Sequence, residues 1–499
     1  MKKVILSILA IILGANAGAL RAEDIHAAAG AAAPSEEPGN IGVPAECEDV
    51  MLQAFYWDSY KTNAKYGCTK WNYLLRDTTA ITENFDLVWF PPSASGGGVG
   101  YTHKCLSDQN GDWGPKLQLQ NLIKALHRGG TKVLADIVIN HRGNKSSWCD
   151  FYGDNFGQYG SYQLTQKHIC RFDEGFTKSE SSCYNASTDD RGAEDSGTNF
   201  DGARDLDHKN EYVQSWAKAY VQWMLDVMQY DGFRYDMTLG YAGSYLRMYN
   251  EASHPYLSVS EFWESIDRQV AHLKATNYNT MIFDFPLKYK LHDAICKAPY
   301  AYGGLRNPSN SLRGKGYGKY AVTFVDNHDT FERSSYGENQ FNGKTQLSDS
   351  VTHRRVMQAY AYILMMPGVP CVFYPHWKSY SEEINQLIAL RKRVGIHSES
   401  VVSEESGAQK KYSGKVQGHR GQVVVRLGDN RDMTVPEGFE VAIEGEGYTV
   451  YAKMGAQGIE EISHQPSAVR GEKFIRDGKL YIRCGEQVYD ALGNRIRGN

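Results

Sequence analysis

Between residues 48 and 395, short β-rich runs alternate with helical stretches, and this alternation restricts the fold more than any other feature of the 499-residue chain. The strand candidates are Met51–Trp57, Leu87–Phe90, Val133–Ile139, Gly232–Asp236, Tyr256–Glu261, Met281–Phe285, Ala321–Val325 and Val369–Phe373. Helical patterns lie between them, among them Lys116–Arg128, Lys209–Gln229, Val351–Met366 and Ser381–Val394. A nearly continuous apolar run such as Val133-Leu-Ala-Asp-Ile-Val-Ile suits a strand covered on both faces, the usual state of a parallel sheet. Eight such strands with helical crossovers predict an α/β fold, a (β/α)8 TIM barrel, with its chemistry at the C-terminal strand ends. In the second helix Trp216, Tyr220, Trp223, Val227 and Tyr230 recur every three or four residues. That stripe is expected to be core rather than a platform for ligands.

The rhythm fails between Arg142 and His208, where Gly, Asp, Asn, Ser and aromatics dominate. Residues 142–208 are therefore expected to form an inserted small domain after the third strand, at the barrel mouth. From Ile396 the pattern changes to short alternating strands (Gln422–Leu427, Phe439–Ile443, Tyr448–Ala452), which predicts a separate antiparallel β domain over 396–454. Asp477-Gly478 marks a hairpin within a C-terminal extension, 455–499. At the other end, Lys2 and Lys3 precede an apolar run from Val4 to Leu13, closed by Ala15-Asn16-Ala17. This reads as a secretory signal peptide (1–22), too short to span a membrane, followed by an Ala/Pro/Glu-rich linker (23–47).

Export permits disulfides, yet the nine cysteines are scattered and form no C-x-x-C pair that would argue for zinc or redox work. Cys149, Cys170 and Cys183 lie close enough for one local bridge, and the pairing stays open. A formal net charge of −4 gives no electrostatic footprint for nucleic acid, and 41% hydrophobic residues exclude a mainly disordered chain. No transmembrane segment follows the leader, and the expected product is a secreted monomer.

Four acids, Asp136, Asp236, Glu261 and Asp329, fall within or just past strand ends, and like charges gathered at one rim need a function or a cation to hold them. Arg234 stands two residues before Asp236, so both side chains share one strand face. The guanidinium is expected to keep Asp236 ionised, as a nucleophile requires. Glu261 is followed by Phe262-Trp263, apolar surface that tends to raise a carboxyl pKa, as a general acid requires. One low and one high carboxyl at one rim is the equipment of a glycoside hydrolase.

Asp136-Ile-Val-Ile-Asn-His141, Gly232-Phe-Arg-Tyr-Asp236, Ser260-Glu-Phe-Trp263 and Phe324-Val-Asp-Asn-His-Asp329 resemble, in order and spacing, the four signature regions of the α-amylase family. The resemblance runs from about Val50 to Met454, and Arg391-Lys-Arg-Val-Gly-Ile-His-Ser-Glu-Ser is similar to plant-type members near the end of their barrel. It implies Asp236 as nucleophile, Glu261 as general acid and then base, and Asp329 as a stabiliser of the distorted sugar. Retention of configuration follows, with the first two carboxyls ~5–5.5 Å apart. It further implies that Arg234 positions Asp236, that His141 and His328 bond sugar hydroxyls, and that Tyr101 stacks on the sugar, with Tyr56 and Trp57 nearby on the first strand. For calcium it implies Asn140, Asn199, Asp205 and the carbonyl of Gly240, with Asn199 standing where Asp is more usual. The family commonly carries a Lys where this chain has Leu239, which leaves Tyr241 as the candidate for stacking on the leaving side. The implied function is a secreted, Ca2+-dependent endo-α-amylase acting on internal α-1,4 bonds of starch, glycogen and maltooligosaccharides. The rivals are a transglycosylase or short-chain-specific relative, and a non-catalytic glucan-binding protein.

Overall fold

The computed structural model describes residues 41–177, 190–297, 300–331 and 347–455, together with the backbone of strands beyond them. All eight expected strands form: β1 (Met51–Gln53), β2 (Leu87–Trp89), β3 (Lys132–Ile137), β4 (Gly232–Tyr235), β5 (Ser258–Ser260), β6 (Met281–Phe283), β7 (Ala321–Phe324) and β8 (Val369–Phe373). Each pairs in parallel with its neighbour, and Met51↔Cys371, Leu52↔Val372 and Gln53↔Phe373 join β1 to β8, closing the barrel. Lys132 is the one strand residue of the eight that is not buried. The strands are shorter than their apolar runs, because stretches such as Ala54–Tyr56 and Val138–Ile139 continue as buried loops over the barrel mouth.

The helices α1 (Lys116–Arg128), α2 (Glu211–Asp226), α3 (Gly243–Ser253), α4 (Ile266–Ala275), α5 (Phe285–Cys296), α6 (Ser350–Met365) and α7 (Tyr374–Val394) cover this core. Asn210 caps α2 by accepting from the Tyr212 N–H, and Asp349 caps α6 through the Val351 and Thr352 N–H groups. Trp216, Tyr220, Trp223 and Tyr230 are buried as expected. Val227 is not: α2 ends at Asp226, so the helical period no longer directs Val227 inward.

The insert between β3 and β4 is built from two-residue ladders, His141–Arg142 with Arg204–Asp205 and Asp154–Asn155 with Ser161–Tyr162. A fully buried ion pair, Arg142 Nη1 to Asp154 Oδ2 at 3.0 Å, sits where Trp216 Nε1 of α2 donates to the same oxygen at 2.8 Å, tying insert to barrel. Cys149 is disulfide-bonded, with its partner outside the described residues, whereas Cys170 is free and buried.

The expected linker ends earlier than residue 47. Gly42 donates to the Pro255 carbonyl and accepts from Ser258 N, and Val43 is buried. A Cβ on Gly42 would meet that of Ser258 at 2.7 Å, and its φ of +71° suits glycine. The leader and most of the linker lie outside the described residues. After the barrel comes a five-stranded sheet of β9 (Val401–Ala408), β10 (Lys411–Gln417), β11 (Gly421–Leu427), β12 (Glu440–Gly445) and β13 (Tyr448–Met454), with neighbouring β9–β10, β10–β11 and β12–β13 antiparallel. The largely exposed, Ser/Glu-rich β9 carries no apolar alternation, which is why the sequence did not announce it. Residues 454–499 form a unit of their own. It holds four antiparallel strands, Glu472–Arg476, Lys479–Cys484, Gln487–Asp490 and Arg495–Ile496, the first two paired with Arg476 opposite Lys479. Among the described residues no helix is long and apolar enough to cross a membrane.

Candidate active site

Arg234 organises the rim. Its Nη1 lies 2.8 Å from Asp136 Oδ1 and 2.6 Å from Asp236 Oδ1, and its Nη2 lies 3.0 Å from Glu261 Oε1. Three strands in sequence order, β3, β4 and β5, thus bring three carboxyls onto one planar fork, a geometry that only guanidinium offers. Asp136 is sealed: its Oδ2 accepts from Trp89 Nε1 at 3.2 Å and from the Tyr101 hydroxyl at 2.7 Å. Its side chain is 0% exposed, against 11% for Asp236, 12% for Glu261 and 19% for Asp329. The last three can meet a ligand and Asp136 cannot.

Burial pushes Asp236 up to about 6, with Arg234 pulling the other way and Asp136 adding to the rise. Burial pushes Glu261 further, to about 8, again opposed by Arg234 and reinforced by Asp236 and Asp329. The expectation of an Asp236 held low by Arg234 is therefore corrected: one guanidinium charge is divided among three desolvated carboxyls. The order survives, since Asp236 gives up its proton before Glu261 does. Met237, between them, holds a left-handed φ of +48° and donates its N–H to Glu261 Oε2 at 3.0 Å.

Asp329 lies past β7, its backbone N–H on Asn327 Oδ1, its Oδ1 accepting from Trp57 Nε1 at 3.1 Å and its Oδ2 3.2 Å from His328 Nε2. Beneath this loop the wholly buried Lys288 pairs with Asp326 at 3.2 Å, and Asp326 accepts from the Thr330 hydroxyl. His328 Nδ1 lies 2.9 Å from Gln53 Nε2, a donor, so Nε2 carries the proton and faces Tyr101 and Asp329. The Tyr101 ring stacks on His328 at 5.5 Å and 10°. Sequence reasoning missed Gln53, although a polar residue inside Met51-Leu-Gln-Ala-Phe is a legible signal.

Asp236, Glu261, Asp329, Arg234, Tyr101, His328 and Trp57 therefore converge on one rim. His141 is adjacent, but its Nε2 already bonds the Tyr101 carbonyl at 2.9 Å, its ring stacks on Phe200 at 4.1 Å, and burial holds it neutral with a pKa of about 4. Tyr56 and Tyr241 depart from expectation. The Tyr56 ring is buried, its hydroxyl accepting from Tyr66 N at 2.8 Å. Tyr241 is buried face to face with His208 at 4.4 Å, so its ring is used up in packing.

A second cluster lies where the insert meets the barrel. Asn140 Oδ1, Asn199 Oδ1, Asp205 Oδ1 and Asp195 Oδ2 are buried oxygens with no hydrogen-bond partner. Asp195, missed from the sequence because a loop has no period to reveal it, comes within ligand distance of Asp205 and Cys170. A Cβ on Gly240 would fall 1.8 Å from Asn140 Oδ1, so glycine alone lets this backbone approach the amide oxygen. Burial and the Asp195 carboxyl push Asp205 well up, a cost that a bound cation removes. Unsatisfied hard oxygen donors in this number fit calcium.

Residues 84–282 match the family model for the alpha amylase catalytic domain. Alpha-amylase 3, chloroplastic, of Arabidopsis thaliana is 30% identical over 431 residues, 81% of this chain but 44% of that protein, so this chain spans less than half of that relative's length. Probable alpha-amylase 2 of Arabidopsis thaliana is 29% identical over 426 residues, covering 81% of this chain and 94% of that one. The solved alpha-amylase from Geobacillus thermoleovorans shares the fold, with a TM-score of 0.56 at 15% identity over 81% of this chain and 98% of that chain. With the closed barrel and the ordered motifs on its rim, the chain belongs to the α-amylase family of glycoside hydrolases.

Proposed function

We propose that the protein is a secreted endo-α-amylase that hydrolyses internal α-1,4-glucosidic bonds of starch, glycogen and maltooligosaccharides with retention of configuration. The observation that carries this reading is the Arg234 fork, which holds Asp236 and Glu261 side by side with their protonation states apart. Ionised Asp236 attacks the anomeric carbon and forms the glycosyl ester. Protonated Glu261 gives its proton to the departing glycosidic oxygen, then takes one from the water that cleaves the ester. Asp329 accepts hydrogen bonds from the ring hydroxyls as positive charge develops, and the Tyr101–His328 stack with Trp57 shapes the pocket. Calcium, held by Asn140, Asn199, Asp205, Asp195 and the Gly240 carbonyl, would brace the insert against the barrel. The test is a reducing-sugar assay on soluble starch with size-exclusion analysis. An endo-hydrolase collapses polymer size early. Transfer products of increased length would favour a transglycosylase, and no new reducing ends would leave a glucan binder.

The kcat/KM of a short chromogenic maltooligosaccharide is expected to follow a bell. It rises as Asp236 ionises through about 6 and falls as Glu261 loses its proton through about 8. A flat profile across that interval would remove the acid–base division.

Calcium chelation is expected to lower melting temperature and activity together, both restored by calcium. An ion bound only by the folded state at ~100 times its Kd contributes ~2.7 kcal/mol. A melting curve unchanged in chelator, with zero metal by elemental analysis, would reject the oxygen cluster as a site.

Leu239 is half-buried, its carbonyl held by Thr198 N at 2.8 Å. If its side chain borders the leaving-side sugars, Leu239→Lys should shift the cleavage pattern of end-labelled maltoheptaose through a charged donor contributing ~1.5–3 kcal/mol. Identical patterns and kcat/KM would place position 239 away from the sugar.

A further inference from the structure

We propose that Lys288, a wholly buried lysine in the first turn of α5, is a positioning residue for the hydrolysis: through Asp326 and Thr330 it fixes the turn that sets Asp329 against the sugar. The inference rests on the role of Asp329 given above and deepens it. The turn follows β7, and Asp326, Asn327, His328 and Thr330 within it are buried. Lys288 Nζ lies 3.2 Å from Asp326 Oδ1, and the Thr330 hydroxyl donates to the same oxygen at 3.0 Å. Thr330 Oγ1 in turn accepts from Asn327 N at 3.0 Å. Asn327 Oδ1 then accepts from Asp329 N and from Thr330 N, each at 2.9 Å. The ammonium on α5 is thus joined, bond by bond, to the backbone that carries the Asp329 carboxylate.

The chemistry of this pair argues for placement rather than for stability. Taking a lysine side chain out of water is costly, and a buried ion pair seldom stabilises a fold more than apolar groups of the same volume would. What the pair supplies is direction. A charged acceptor makes a stronger hydrogen bond than a neutral one, so Asp326 holds the Thr330 hydroxyl in one orientation and leaves its lone pair aimed at Asn327 N. The Asn327 side chain, bonded to the backbone two and three residues on, then orders the turn. On the far side of Asp326, the Tyr360 hydroxyl accepts from Phe373 N at 3.1 Å and so gives its own hydrogen to His376 Nδ1 at 3.0 Å. His376 Nε2 therefore carries a proton, but it stands 3.8 Å from Asp326 Oδ2, beyond hydrogen-bond reach, whereas Lys288 is closer. Trp57 and His328 meet the Asp329 carboxylate itself, at 3.1 and 3.2 Å, and the turn decides where the backbone beneath it stands. Misplacing a group at the reacting centre by ~1 Å costs up to ~10²-fold in rate.

The experiment assays the full chain in saturating calcium on a chromogenic maltooligosaccharide, with melting temperatures followed in parallel. Lys288→Met is expected to lower kcat by ~10–10²-fold with KM little changed, because the displaced carboxylate acts on the transition state rather than on the bound substrate. Lys288→Met/Asp326→Asn, which leaves no unpaired charge, should recover the parent's melting temperature while kcat stays low, and it carries the test if the single variant does not fold. Thr330→Val breaks the same path, so combining it with that pair should cost kcat no more than Thr330→Val costs by itself. A kcat that returns together with the melting temperature, losses in kcat that multiply, or a loss confined to KM would each overturn the proposal and reduce Lys288 to packing. Asp329→Asn, assayed alongside, separates the two levels. Turnover like the parent's in that variant would remove the role of Asp329 itself, whereas an impaired Asp329→Asn beside parent-like Lys288 variants would remove the role of Lys288 alone.

Discussion

Glu261→Gln is expected to lower kcat on soluble starch by at least ~10²–10⁴-fold while the fold survives, because the amide cannot deliver the proton that the departing oxygen needs. Glutamine preserves the volume and can still accept from the Met237 N–H, which is 3.0 Å away in the parent. The loss should therefore fall on kcat rather than on structure. Asp236→Asn should lose as much, by removing the nucleophile. The two are separable: an aryl maltooligoside whose phenolate leaves without protonation should partly rescue Glu261→Gln and should not rescue Asp236→Asn. Turnover like the parent's in either purified variant would end the assignment of roles. A thermal readout accompanies this result. The folded-state pKa of Glu261 is raised from 4.5 to about 8, so its contribution to stability is present below 4.5 and is lost as pH rises through about 8. Melting temperatures of Glu261→Gln should accordingly decline less than the parent's across that window.

Arg234→Met should be the most damaging single change to the scaffold. It removes the cation that bonds Asp136 and Asp236, both buried, and the partly buried Glu261, and leaving buried charge unpaired costs ~3–5 kcal/mol. Part of that cost is avoided by protonation, which gives a second readout. Arg234 pulls Asp236 down, so without it the acidic limb of kcat/KM should move above its position near 6. Arg234→Lys restores charge without the fork, and should recover stability better than rate. Urea denaturation and pH–rate profiles of both variants test this. A stable Arg234→Met protein with an unmoved acidic limb would show that the guanidinium does not hold the three carboxyls.

The barrel is legible because its signals are local. Buried parallel strands need unbroken apolar runs, helices over them need a three-to-four-residue stripe, and both can be read within a dozen residues. Strand-face parity likewise places Arg234 beside Asp236 from their spacing in the chain alone. The β9 strand, exposed and rich in Ser and Glu, lacks such a signal.

What the amino-acid order determined by itself was therefore the period, the order of the elements and the residue types at the strand ends. The tertiary structure alone decided what surrounds each group. It sealed Asp136 under Trp89 and Tyr101, drew Asp195 to Asp205, and packed Tyr241 against His208 instead of offering it to sugar. It also reversed the expected shift of Asp236, which depends on how much water is lost and on how many carboxyls share one guanidinium. Desolvation and charge sharing are sums over neighbours far apart in the chain, and no local pattern encodes such sums.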